Sequence, residues 1–249
     1  MPKLLYHYTS YTAFCSIISG ENLRFTNIGF LNDALEYQYG VGLFIQAIQS
    51  FESKNNIKDT FDTALINRFT FLNQVYTISF CENGDDLNLW RGYCPKEGGI
   101  AIGFNKDTVF PSKDVLLNKC QYGNPYKDII VASNYQRIRS KFLNIETLHK
   151  DLEHIKFTFD LAHVKSPSFS GENEWRGVIK AGNHKIQYLV KNSMIVPFTD
   201  QKFNKRSIKE ILIGPSVHQD KIKEALELMT KQFNIPCDII KSNIPFVQY

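Results

Sequence analysis

The sequence predicts an α+β fold in a single domain, with a mostly antiparallel central sheet, continuous or split, flanked by helices. Three observations carry that expectation. Segments of helical periodicity come in runs, and so do β-branched, alternating segments; a doubly wound fold would interleave them. The 249 residues, 43% hydrophobic and 13% aromatic, suffice for a substantial core. No internal repeat, low-complexity stretch or linker divides the chain, so the domain runs over 1–249.

Leu4 to Thr9 reads as a short first strand. Ser10 then offers an N-cap to a helix with Ala13, Phe14, Ile17 and Ile18 on its apolar side, stopped by Gly20. Leu23 to Thr26 is a second strand. Asp33 can cap a longer helix to about Phe51, and another helix fills Asp59 to Asn73. Strands follow at Val75 to Phe80, Gly99 to Phe104 and Val115 to Tyr122. Ile129 to Leu161 reads as one or two helices. Four strands come next, at Glu174 to Lys180, Lys185 to Val190, Met194 to Phe198 and Glu210 to Ile213. A helix over Ser216 to Phe233 and a strand over Cys237 to Lys241 complete the pattern.

Composition narrows the function classes. No apolar run approaches the roughly 18 residues that span a bilayer, and MPKLLYHYTS does not read as a signal peptide. The five cysteines are odd in number and contain no CxxC pair, which argues against a disulfide framework and a zinc knuckle. A cytoplasmic protein without membrane partners is expected. The net charge of +4 is mild, but Lys180 to Lys209 holds seven basic residues against Asp200 alone. That segment is either a solvated face or a surface for a polyanion. There is no P-loop, and Gly40-Val41-Gly42 sits in a helical pattern without a third glycine, so it is no dinucleotide fingerprint. With no HExxH or HxH, and with His149 and His154 five apart on a predicted helix, no metal site is expected.

Four segments carry more polar chemistry than packing requires. On the first strand, alternation puts His7 and Thr9 on one face and Tyr6 and Tyr8 on the other. Asn32 and Asp33 stand at a helix start, where a cap explains Asp33 better than a turn explains Asn32. A strand ending Ile78-Ser79-Phe80-Cys81-Glu82 breaks into a polar loop holding Trp90, Arg91 and Tyr93. The plain alternative there is Trp90 packed on the sheet and Arg91 in an ion pair. The fourth segment is Phe169 to Arg176. If it is extended, Glu172 and Glu174 project on the same side, and at least one carboxyl should titrate high. The plain alternative is a solvated acidic loop paired to Arg176.

Together these segments resemble a widespread prokaryotic family known as domain of unknown function 2971. The resemblance rests on LYHYTS, NLRFTN, FLNDALEY, ISFCENGDDLNLWRGY, GGIAIGFN, FSGENEWRGVI, IKEILIGPSV and KSNIPF, in that order. One departure is that Val247 follows Phe246 where the family usually carries an Arg soon after. The order of a first-strand His, a Ser at a strand end and a Glu-x-Glu also resembles ADP-ribosyltransferases. That resemblance implies their fold, with NAD consumed as substrate. It would give His7 the adenine-side ribose or a phosphate, and Ser79 the nicotinamide pocket, with Cys81 where a second Ser can stand. Glu174 would bind the nicotinamide ribose as the catalytic carboxylate, and Glu172 would position or deprotonate the acceptor. The candidate NAD-binding set is His7, Tyr8, Thr9, Asn32, Ser79, Trp90, Arg91 and Tyr93. The acceptor would be a protein or nucleic acid, or water. The implied setting is a toxin or antiviral effector, with an antitoxin or regulatory protein as partner. Two other readings stand beside it: a non-catalytic sensor of a nucleotide or a protein, and a nucleic-acid-modifying enzyme using Lys180–Lys209.

Overall fold

A computed structural model describes residues 2–31, 34–60, 62, 75–126, 135–136, 139–140, 160–180, 182, 184–191 and 193–245, with backbone alone at 34–36. Asn32, Asp33, His149, His154, Val247, nearly all of the helix expected over Asp59–Asn73 and most of that over Ile129–Leu161 lie outside these residues.

The chain begins with β1 (Leu4–Thr9), α1 (Tyr11–Gly20), β2 (Asn22–Asn27) and α2 (Ala34–Lys54). Next come β3 (Val75–Cys81), α3 (Leu87–Tyr93), β4 (Ile100–Asn105), β5 (Leu116–Lys119) and β6 (Gln121–Tyr122). After β7 (Val164–Lys165) the strands β8 (Glu174–Lys180), β9 (Gln187–Lys191), β10 (Met194–Lys202) and β11 (Ile208–Ile213) follow. α4 (Gln219–Gln232) and β12 (Asp238–Lys241) end the order. The fold is α+β. One large sheet runs β12-β11-β4-β1-β3-β2-β10-β9, with β8 paired to β3 and β5 paired to β8. All its pairings are antiparallel except β11 with β12, which α4 connects as a crossover.

Local chemistry sets several boundaries. Ser10 caps α1 by accepting from the Ala13 amide at 3.1 Å, and Phe14, Ile17 and Ile18 bury its inner side. The helix ends at Gly20, as expected, but the residue in the left-handed region is Glu21, at φ 53°. The segment expected to be a polar loop before Tyr93 contains α3, which Asp86 caps by accepting from Asn88 N at 2.8 Å. Pro197 sits next to the end of the β10–β2 ladder, whose last pair is Phe198–Thr26; a residue without an N–H cannot extend it.

The sheet is covered on both faces. One face carries the main core: Leu5, Phe80, Ile102, Trp175, Ile179 and Ile211 pack with α1 and with Leu226 of α4. The other is covered by two separate clusters. Val75 and Val178 pack with Val41, Phe44 and Ile48 of α2, while Tyr8, Cys81 and Ala101 pack with Leu89 and Trp90 of α3. Gly40 allows α2 to approach closely, since a Cβ there would lie 3.0 Å from Leu161 O and 3.3 Å from Val164 Cβ.

The sheet divides at β3. One edge of β3 pairs with β8 along its whole length, Val75–Lys180 to Cys81–Glu174. Its other edge pairs with β2 at Tyr76 and Thr77 and with β1 at Cys81. Between those contacts β1 and β2 diverge, leaving a stretch of β3 around Ser79 without a strand neighbour on that edge.

Candidate functional site

The polar residues singled out on β3 and β8 gather between α2 and α3, on the face opposite the main core. Register places them there. Tyr6 pairs with Cys81 and Cys81 with Glu174, so their side chains share a face; Ser79 and Arg176, two residues along, share it too.

Glu174 is the centre of this group and is 1% exposed. Lys165 Nζ donates to its Oε2 at 2.7 Å, and Arg176 Nε donates to its Oε1 at 2.7 Å. Arg176 Nη2 adds a bond to Oε2 at 3.1 Å, and Nη1 donates to Ala162 O at 3.0 Å. Even the Glu174 amide is engaged, donating to Tyr122 Oη at 2.8 Å. Burial alone would push this carboxyl up. The charges and hydrogen bonds of Arg176 and Lys165 outweigh it and hold the group down at about 2. The upward titration expected from two neighbouring carboxylates is therefore reversed at Glu174. The pairing with Arg176 is realised, and Lys165, which the sequence reading did not single out, is the second cation. Its two-residue strand carries no periodicity by which to find it.

Glu172 is held differently. Residues Pro167–Glu172 form 3-10 turns and Asn173 takes the left-handed region at φ 44°, so the segment is not extended until Glu174. The two carboxylates converge all the same, because Lys165 Nζ also donates to Glu172 Oε2 at 2.8 Å. Tyr93, from the end of α3, donates to the same oxygen at 2.5 Å. The Glu172 side chain remains 19% exposed, and Oε1 has no partner among the described residues. Phe169 lies beside the ammonium, 4.8 Å from Lys165 Nζ to its ring centroid.

The other candidates divide. Ser79 is half-buried on this face. The Cys81 thiol is pushed well above its usual range by burial and then by Glu174 and Glu172, so it is no thiolate nucleophile here. Tyr8 and Trp90 are buried against one another, ring centroids 4.7 Å apart. The Trp90 indole donates to Asp85 Oδ1 at 2.8 Å, which is the packed arrangement weighed as the plain alternative. Arg91 is exposed. Tyr93, 39% exposed, is the ring open to a ligand.

His7 does not join the group. Its register partner is Ile102 and its ring lies 5.8 Å from Phe80, which places it on the main-core face, opposite Glu174. Nδ1–H donates to Ser79 O at 2.9 Å, supplying the bond that no strand provides where β1 and β2 diverge. Burial lowers its pKa, against that hydrogen bond, and keeps the ring neutral. Thr9 is buried on the same side.

A cavity of about 690 Å³ opens beside the β5 edge, lined by Lys106, Asn118, Lys119, Tyr126, His163 and Trp175 among others; Glu172 and Glu174 do not line it. Among the described residues no cluster of three or more His, Cys, Asp or Glu could hold a metal ion, and no helix is long and apolar enough to cross a membrane.

The model of a family described as "Protein of unknown function (DUF2971)" matches residues 89–177, a stretch that runs from α3 through the Glu172–Glu174 pair to β8. The chain resembles that family there. No curated protein and no solved structure matches the chain.

Proposed function

We propose that the chain consumes NAD as an ADP-ribosyltransferase-type enzyme in which Glu172, rather than Glu174, faces the reacting ribose. The observation behind this reading is the unequal state of the two carboxylates. Both oxygens of Glu174 are occupied by Lys165 and Arg176 in a site sealed from water. Glu172 is pinned through Oε2 alone, partly exposed, with Oε1 unpartnered among the described residues. A carboxylate fixed by one oxygen and open at the other is preorganised for charge that develops on a substrate.

In this chemistry the bond from ribose C1′ to the nicotinamide nitrogen breaks, and its electron pair leaves with neutral nicotinamide. Positive charge grows on the ribose, where a carboxylate at Glu172 Oε1 stabilises it as it forms. An acceptor oxygen or nitrogen then bonds to C1′ and passes its proton to the same oxygen. Glu174 does not touch substrate; it orients Lys165, which in turn orients Glu172. The Tyr93 ring is placed to stack on a planar base.

The test is nicotinamide release from NAD at neutral pH, with and without cell lysate as acceptor source. Glu172→Gln should cut release by roughly 100-fold or more while the melting temperature falls by less than it does for Glu174→Gln. Release undiminished by Glu172→Gln, or no release under any condition, overturns the reading.

A second reading is favoured by one observation. His7 and Glu174, both central to the NAD expectation, are on opposite faces and engaged in structural bonds. A non-catalytic sensor would keep such a scaffold without chemistry. It predicts a thermal shift with NAD and no nicotinamide. The nucleic-acid alternative has less basic surface to work with, since Lys205 pairs with Glu21 at 2.8 Å and Lys202 bonds Gly20 O at 3.2 Å. Steeply salt-dependent oligonucleotide binding is what it requires.

A further inference from the structure

The structure assigns a second copy of this chain as the occupant of the open edge of β9, paired antiparallel about a two-fold axis at Leu189. This assignment is independent of the chemistry proposed above.

β9 is the last strand of the sheet and has no neighbour on its outer edge among the described residues. Such an edge is a template for another strand unless it is blocked. The hairpin with β10 determines which groups face outward. Lys191 pairs with Met194 across a two-residue connection, so this closing pair exchanges both its hydrogen bonds within the hairpin. Alternation then makes Val190–Ile195 and Tyr188–Pro197 the non-exchanging pairs, and Pro197, which has no N–H, fits that place. The backbone N–H and C=O of Tyr188 and Val190 therefore both point to the open edge.

A two-fold at Leu189 sets Tyr188 of one copy opposite Val190 of the other, twice. These are the two residues with outward-facing groups, so each pair exchanges two hydrogen bonds, giving four in all. Their side chains form an aromatic–β-branched cross-strand pair, a favourable kind. Both are highly exposed, Tyr188 at 67% and Val190 at 78%, and Ile195, on the same face of the hairpin, is 67% exposed. Isolated exposed apolar residues are ordinary, but several on one free strand edge mark an interaction surface. Charge agrees with this register. Lys191 falls opposite Gln187, so no lysine of β9 meets another. A register shifted by one residue would turn the Tyr and Val backbone groups away from each other.

The 249-residue chain is run in sedimentation velocity across a concentration series. A monomer–dimer equilibrium is expected. Val190→Pro removes an N–H that the hairpin itself does not use, and should weaken dimerisation about tenfold or more with the melting temperature of the dilute monomer unchanged. Gln187→Lys, which sets lysine against lysine twice, should weaken it, and Gln187→Glu, which gains Lys191 of the other copy but sits beside Asp200 of its own, should tighten it by a smaller factor. Leu189→Cys should form an intermolecular disulfide under mild oxidant that Tyr188→Cys does not, because residue 189 alone meets itself across the axis. Monomer at every concentration overturns the assignment, and so does a dimer indifferent to Val190→Pro and to both changes at Gln187. Binding of the monomer to anionic vesicles, with no dimer, would give this apolar edge to a membrane surface and overturn it as well.

Discussion

The two faces of β3 and β8 are made by the same residues in alternation, and they are stabilised in different ways. On one face Phe80, Ile78 and Trp175 pack against α1 and the neighbouring strands in a continuous apolar core. On the other, between the apolar clusters under α2 and α3, Glu174 and Arg176 meet Lys165 in a buried network of charges. Apolar packing gains from burial directly. Buried charges gain mainly by not being left alone, because desolvation offsets most of their attraction. The charged patch of the second face is therefore a poor way to stabilise a sheet, and that makes it the better place to look for function.

Removing one member should hurt both faces, and replacing a whole set should separate them. Phe80→Ala empties a fully buried site and should cost about 3–5 kcal/mol. Glu174→Gln removes the buried carboxylate that Arg176 and Lys165 share and should cost about 3 kcal/mol, a fall in melting temperature of about 6–12 °C for a domain of this size. Replacing Lys165, Glu174 and Arg176 together with Met, Leu and Met should recover part of that loss, since these three charges are removed together and Glu172, which loses Lys165, keeps its exposure and its bond from Tyr93. No substitution elsewhere recovers Phe80→Ala. If the triple variant is as unstable as Glu174→Gln alone, the network contributes net attraction and the contrast between the faces fails. Chemical unfolding reads all three.

Acid separates the faces next. The Glu174 carboxyl titrates at about 2 in the fold against its usual 4.5. A depressed carboxylate contributes stability above its unfolded pKa and loses it as pH falls through the folded one. The contribution, about 3 kcal/mol, should be complete near pH 5 and fade toward pH 2. Phe80→Ala should keep this pH slope and Glu174→Gln should abolish its share, in unfolding curves at stepped pH.

The apolar face was the more legible from sequence. Strands such as Val75–Phe80 announce themselves because β-branched and aromatic residues repeat at the period of the pleat. β1, β2, β3, β4 and β8 were all expected within a residue or two of where they lie. The polar face was legible only in part. Glu172, Glu174 and Arg176 stood out as unusual, and Tyr93 through its neighbour Trp90, but Lys165 did not. It sits in a two-residue strand, and its role depends on a register between segments distant in sequence. His7 shows the converse. Its residue type and first-strand place suggested a ligand contact, whereas the divergence of β1 from β2 gives it a backbone carbonyl to satisfy. Alternation puts His7 opposite Tyr6 on β1; only the pairing of Tyr6 with Cys81, and of Cys81 with Glu174, reveals that this is also the face away from the carboxylates.

The smallest expected effect on stability is the most informative about the site. Tyr93→Phe deletes one of the two donors to Glu172 Oε2 and leaves Lys165 in place. The hydroxyl bridges a partly exposed carboxylate, and water can replace it, so the loss should be about 0.5–1 kcal/mol. The ring, with its packing and any stacking on a base, is retained. If Glu172 acts on substrate, freeing its carboxylate to rotate should lower kcat for nicotinamide release while KM for NAD changes little. If the cluster is a scaffold around a bound ligand, the same variant should leave affinity and thermal shift close to wild type. A Tyr93→Phe protein that melts like Glu174→Gln would mean that Glu172 and Glu174 form one structural unit, and the unequal roles given to the two carboxylates would be wrong.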